Sequence, residues 1–172
     1  MGRTTLILGG ARSGKSRFAQ ALAEQSEGRL VYVATAGAYD AEMEERIERH
    51  RGDRGERWET VEEQYDLAGV IARHSGSDRT VLVDCLTLWL SNLMLREQDV
   101  ARALDGVIAA LDACDGHVIL VSNEVGSGIV PETPLGRAFR DEAGRFNQRV
   151  AAQADTVALV VAGLPLWLKG AR

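Results

Sequence analysis

Short, continuously apolar runs recur along the chain: TTLIL at 4–8, LVYVAT at 30–35, TVLVD at 80–84, HVILVS at 117–122 and TVALVVAG at 156–163. A strand with one wet face alternates apolar and polar positions, whereas a strand covered on both faces does not need to. The runs therefore predict buried strands. Between them lie stretches of helical period: Val100, Leu104, Val107, Ile108 and Leu111 share one stripe, as do Leu135, Phe139, Phe146 and Val150. Strands alternating with helices predict an α/β fold with a mostly parallel sheet and flanking helices. The closing LPLWLKG, 164–170, is expected to add an antiparallel edge strand. No repeat, linker or low-complexity tract divides residues 1–172, so a single domain is expected.

One interruption of this pattern matters. RHRGDRGERW, 49–58, is too charged and glycine-rich to pack, and is expected to be a working loop. Ahead of it, AEMEERIERHR (41–51) has helical spacing, with Met43, Ile47 and His50 on one face and Arg46, Arg49, Arg51 and Arg54 around the histidine. In a chain of net charge -5 this is a local anion site. The overall acidity argues against a surface for nucleic acid or anionic lipid, which calls for a basic excess. Cys85 and Cys114 lack the spacing of a zinc site or a disulfide framework and are expected to be buried thiols. Neither a signal peptide nor a membrane-spanning run is visible, and a cytoplasmic location is expected.

The chemistry begins at LILGGARSGKS. Gly9 to Ser16 (Gly9, Gly10, Ala11, Arg12, Ser13, Gly14, Lys15, Ser16) satisfy G-x-x-x-x-G-K-[ST] between a predicted strand and a predicted helix. Such a loop wraps backbone amides and a helix N-terminus around phosphate oxygens, with Lys15 on the outer phosphates and the Ser16 hydroxyl on Mg²⁺. A carboxylate at the end of a buried strand should complete the metal site, and TVLVDC supplies Asp84; its structural alternative is to cap the following helix. Asn123 and Glu124 end the next strand and should project from the same sheet edge, Glu124 facing metal or substrate, or else capping or pairing with an arginine of its loop. A neutral imidazole such as His50 can attack phosphorus, and nearby arginines would offset the charge gathering on the phosphoryl oxygens; a histidine closing a helix can equally be a favourable C-terminal charge.

Together GGARSGKS, YVATA, RIERHR, VLVDCLTLWLSNL, VSNEVGSGIVPE and FRDEAGRFNQRVAAQAD followed by LVVAGLPLWLK resemble the bifunctional adenosylcobinamide kinase/adenosylcobinamide-phosphate guanylyltransferase family. The blocks span nearly the whole chain; 63–79 and 95–116 contribute least. The resemblance implies a RecA-like P-loop fold, a homotrimer, and two activities: phosphorylation of adenosylcobinamide by a nucleoside triphosphate, then transfer of GMP from GTP to adenosylcobinamide phosphate through a guanylylated histidine. That histidine falls on His50. Nucleotide contacts carry over to Gly9–Ser16, to Ala34, Thr35 and Ala36, to Arg51, Gly52, Asp53 and Arg54, and to Glu62 and Asp84, with Ser16 and Asp84 on Mg²⁺ and GTP, or ATP for the kinase step, as substrate. The Glu62 block, WETVEE, is short and has the look of a helix start as much as of a nucleotide contact. The rival readings are a small-molecule kinase with a structural His50 and a nucleotide-switched regulatory NTPase; no Asn/Lys/Asp guanine-reading motif supports the latter.

Overall fold

The computed structural model describes residues 2–36 and 55–170. Its strands are β1 (Arg3–Gly9), β2 (Arg29–Ala34), β3 (Trp58–Glu62), β4 (Arg79–Asp84), β5 (His117–Asn123), β6 (Thr156–Val161) and β7 (Leu164–Lys169). Its helices are α1 (Lys15–Glu24), α2 (Leu67–His74), α3 (Leu86–Leu95), α4 (Val100–Ala113) and α5 (Pro134–Gln153). The strands form one sheet in the order β3-β2-β4-β5-β1-β6-β7, parallel throughout except for β7, which runs antiparallel to β6. Each apolar run of the sequence is thus a strand, and the closing segment is the antiparallel edge.

Both faces of the sheet are dry, which is why the central strands do not alternate. On one face α1 presents Ala19, Leu22 and Ala23 to Ile7, Leu30, Leu82, Ile119, Val121, Ala158 and Val160. On the other, α2 to α5 bury Leu67, Ile71, Leu86, Trp89, Val107, Phe146 and Val150 against Leu6, Val33, Val83 and Leu120. Trp89 and Phe146 pack with ring centroids 5.5 Å apart, and the Trp89 indole N–H donates to the Tyr65 carbonyl at 2.8 Å, so this large side chain is buried without an unpaired donor. The predicted α5 stripe is core only in its second half: Phe146 and Val150 are buried, whereas Leu135 is 58% exposed and with Phe139, Met94 and Leu95 lines an open apolar groove.

Strand β3 is a finding that hydrophobic patterning missed. Trp58-Glu59-Thr60-Val61-Glu62 carries two charges in five residues, and it is a strand because β2 offers it a full parallel ladder, Leu30 opposite Trp58 through Ala34 opposite Glu62. WETVEE therefore does not open a helix. The described end of the predicted working loop, 55–57, enters β3 at the opposite end of the strands from the P-loop, where the Arg57 guanidinium donates to the carbonyls of Ser26 and Gly28. The helix expected over 41–51 lies outside the described residues.

A buried tie holds the end of β2 to the end of β4. Thr35 is fully buried; its hydroxyl donates to the Cys85 carbonyl (2.6 Å) and accepts from the Cys85 N–H (2.8 Å), and the Asn92 amide donates to the Thr35 carbonyl (2.8 Å). Thr35→Val keeps the shape and leaves the buried Cys85 N–H unpaired, at about 1–3 kcal/mol, while the Cys85 carbonyl keeps its bond from the Trp89 N–H at 3.2 Å. Thermal unfolding should show a midpoint lower by on the order of 5–10 °C; an unchanged midpoint would mean that the tie contributes nothing.

Candidate active site

The N-termini of α2, α4 and α5 are closed by side chains: Asp66 accepts from Gly69 N–H, Asp99 from Arg102 N–H, and Thr133 from Gly136 N–H. Helices α1 and α3 have no such cap, and α1 is the one that opens from the phosphate-binding motif. Its N-cap is Gly14, at φ 92°, with no side-chain cap. The first amides of α1 are left open at the C-terminal edge of the sheet, and that is where a phosphate binds most favourably. The loop geometry demands two of its glycines, Gly9 and Gly14. A Cβ on Gly9 would lie 2.7 Å from the Val160 carbonyl and closer still to Ser13 Oγ, while Gly14 takes a left-handed conformation with Gly163 Cα 3.1 Å from where a Cβ would stand.

The loop is also braced from outside. The β6–β7 turn has positive φ at Ala162 (52°) and Gly163 (80°), the conformation that suits a two-residue hairpin. It places the Gly163 N–H 2.7 Å from the Ser13 carbonyl. On the other flank, the Glu124 N–H donates to the Gly9 carbonyl at 3.0 Å. Lys15 is buried (9% exposed), and its ammonium folds back onto the Gly10 carbonyl at 3.1 Å, within the loop it would leave to reach a phosphate.

Register brings the predicted carboxylate to the same edge. Ala34 stands opposite Asp84 on one side and Glu62 on the other, Asp84 stands opposite Val121, and Gly9 stands opposite Asn123. Side chains alternate along a strand. Leu82 and Ile7 point to the α1 side, so Asp84 and Gly9, two residues further on, share that side. The capping alternative for Asp84 is not what the structure shows: α3 is preceded by Cys85 without a side-chain cap, and Asp84 Oδ2 instead accepts the Tyr32 hydroxyl at 3.1 Å, leaving Oδ1 for another partner. Tyr32 has no sequence signal; it reaches Asp84 only because β2 and β4 are neighbours. Burial, reinforced by the neighbouring Asp84 carboxylate, pushes the Cys85 thiol up, so this cysteine stays protonated and is no nucleophile.

Other expected contacts divide. Gly9, Gly10, Ala11, Arg12, Ser13, Gly14, Lys15, Ser16 and Asp84 converge at this edge. Ala34 lies beside Asp84 at the end of β2 and Ala36 follows just beyond the strand, while the Thr35 side chain is spent on Cys85 and positions that turn rather than facing outward. Glu62 is exposed, one strand further from the P-loop. Glu124 is exposed too, and its carboxylate accepts the Gly126 N–H at 2.6 Å, stiffening its own loop. His50, Arg51, Gly52, Asp53 and Arg54 lie outside the described residues. Among the described residues no group of three or more His, Cys, Asp or Glu side chains forms a metal cage. One carboxylate and one hydroxyl, Asp84 and Ser16, are hard oxygen donors, and they suit Mg²⁺, which keeps water and phosphate oxygens in most of its positions.

The profile of the cobinamide kinase / cobinamide phosphate guanyltransferase family matches residues 5–168, nearly the full length. The chain belongs to that family. It is 49% identical over 169 residues to the bifunctional adenosylcobalamin biosynthesis protein CobP of Pseudomonas aeruginosa, covering 96% of each chain. It is 42% identical over 179 residues to the bifunctional adenosylcobalamin biosynthesis protein CobU of Escherichia coli, covering 95% of this chain and 98% of the other. A solved Pyrococcus horikoshii structure superposes with a TM-score of 0.58 at 8% identity, over 99% of this chain and 87% of that one, a likeness of fold alone. The family match spans every strand of the sheet and the whole P-loop, so the α/β P-loop architecture expected from the sequence is the family's framework. No described helix is long and apolar enough to cross a membrane.

Proposed function

We propose that this chain carries out both reactions joined in its family's name, on adenosylcobinamide and then on adenosylcobinamide phosphate. The observation that carries the reading is an intact P-loop, its helix uncapped and its amides open, with Asp84 on the same side of the same sheet edge. In the first reaction the acceptor's hydroxyl oxygen forms a bond to the terminal phosphorus of ATP or GTP, the bond from that phosphorus to the bridging oxygen breaks, and the hydroxyl proton leaves to solvent. Lys15 swings from the Gly10 carbonyl onto the outer phosphates, and the α1 amides take the inner ones. Mg²⁺, held by Ser16 and Asp84, would supply charge neutralisation when bound.

In the second reaction the His50 imidazole nitrogen bonds to the α-phosphorus of GTP and pyrophosphate leaves. A phosphate oxygen of the acceptor then displaces the imidazole, giving adenosylcobinamide-GDP. Arg51 and Arg54 are charge partners for the transferred group. Two steps at one phosphorus need a nucleophile that is neutral near pH 7 and leaves readily, which imidazole is. In this reading the enzyme works in the cytoplasm as a homotrimer. An apolar stripe on the sheet edge, Leu164, Leu166 and Leu168 with Val161, each more than half exposed, supports assembly, since monomers seldom leave such a patch uncovered.

The discriminating experiment uses GTP labelled at either end. After incubation with the full-length protein and denaturation, label from the α position is expected to stay on the chain, acid-labile and base-stable, while γ label is absent. A chain that retains neither label would remove the covalent step and leave the small-molecule kinase as the better reading.

A further inference from the structure

A chain of buried polar groups runs under the end of β5, next to the P-loop strand. Ser122, Thr87 and Asn147 are all buried, on β5, α3 and α5. The Ser122 hydroxyl donates to Asn147 Oδ1 at 2.7 Å and lies 3.4 Å from Thr87 Oγ1. Thr87 Oγ1 accepts the Asn123 N–H at 2.7 Å, and Asn147 Nδ2 donates to the Asn123 carbonyl at 3.1 Å. Two helices thus grip the backbone of one residue from both sides, with Ser122 joining their side chains. Buried polar networks are costly unless every member is satisfied.

Here one member is not. Asn123 Oδ1 is buried and has no hydrogen-bond partner among the described residues, and the same is true of Ser13 Oγ. The two belong to one place. Asn123 stands opposite Gly9 in the β1–β5 ladder, and Ser13 Oγ is the atom nearest to where a Gly9 Cβ would be. Ile119 and Val121 face the α1 side, so Asn123 projects to that side as well, between Asp84 and the P-loop. A buried acceptor left unpaired is destabilising unless something donates to it.

We propose that Asn123 is a substrate-binding residue of the phosphoryl-transfer step, its Oδ1 accepting a hydrogen bond from the hydroxyl of the acceptor alcohol and so aiming that oxygen at the terminal phosphorus. Thr87 and Asn147, tied together by Ser122, are positioning residues that fix the backbone from which the carboxamide projects. A rigid mount of this kind serves attack geometry, where small displacements are expensive. The proposal rests on the kinase reading of the P-loop.

Its test takes the full-length protein with ATP or GTP and adenosylcobinamide, and compares wild type with Asn123→Ala, the isosteric Asn123→Leu, and Asn123→Asp, which keeps an acceptor oxygen. Phosphorylation of adenosylcobinamide should fall about 30–100-fold in kcat/KM for the acceptor in Ala and Leu, and stay within about 5-fold in Asp. Nucleotide affinity, acceptor-free hydrolysis and labelling by α-labelled GTP should change less than about 3-fold. Transfer kept within 3-fold in Asn123→Leu overturns the proposal. So does a parallel fall of transfer, hydrolysis and nucleotide binding, which would make Asn123 a nucleotide or structural residue. If Asn123→Ala and Asn123→Leu do not fold, a 30-fold loss in folded Asn123→Asp overturns it as well. Failure of the wild type itself to phosphorylate adenosylcobinamide would instead bring down the kinase reading.

Discussion

Lys15→Ala is expected to slow phosphoryl transfer to adenosylcobinamide about 10²–10³-fold, with the chain still folded. Among the described residues the ammonium has one hydrogen-bond partner, the Gly10 carbonyl at 3.1 Å, so its removal strips a single described hydrogen bond from an open loop and little from the core. The loss falls on the reaction. Negative charge on the phosphates would be met by fixed amides at the N-terminus of α1 and by Lys15, the buried cation of the motif, whereas Arg12 is exposed. An alanine there leaves the cradle without its mobile cation. Steady-state kinetics with circular dichroism as a folding control would check this; kcat within 5-fold of wild type would mean that phosphoryl transfer does not run through this loop.

His50→Ala is expected to abolish covalent labelling from α-labelled GTP, by 10³-fold or more, and with it formation of adenosylcobinamide-GDP, while phosphorylation of adenosylcobinamide stays within about 5-fold. The asymmetry follows from the chemistry. A nucleophile that forms the bond to phosphorus has no substitute in the second reaction, and it has no part in the first. The two half-reactions assayed on one preparation are the measurement. Equal loss of both in folded protein would end the division of labour between His50 and the P-loop.

The alternation of buried strands and helices was legible because strands covered on both faces are written as unbroken apolar runs, and the P-loop because its chemistry is local. Asp84 was legible as a carboxylate ending such a run. Strand β3 was not: Trp58 to Glu62 is a half-wet edge strand whose glutamates fit a helix as well, and only the β2 ladder makes it extended. Nor was the actual role of Thr35, a hydroxyl absorbed by a backbone turn 50 residues away.

The alternation of apolar strands with helices, the phosphate-binding loop and the family follow from the sequence alone, since each depends on residues adjacent in the chain or on blocks in series. The tertiary structure decided what those residues meet: Tyr32 on Asp84, Gly163 bracing the P-loop from the far hairpin, and the Thr87–Ser122–Asn147 chain gripping Asn123. These contacts join residues far apart in sequence, and only strand order and register bring them within hydrogen-bonding reach, so no local pattern could announce them.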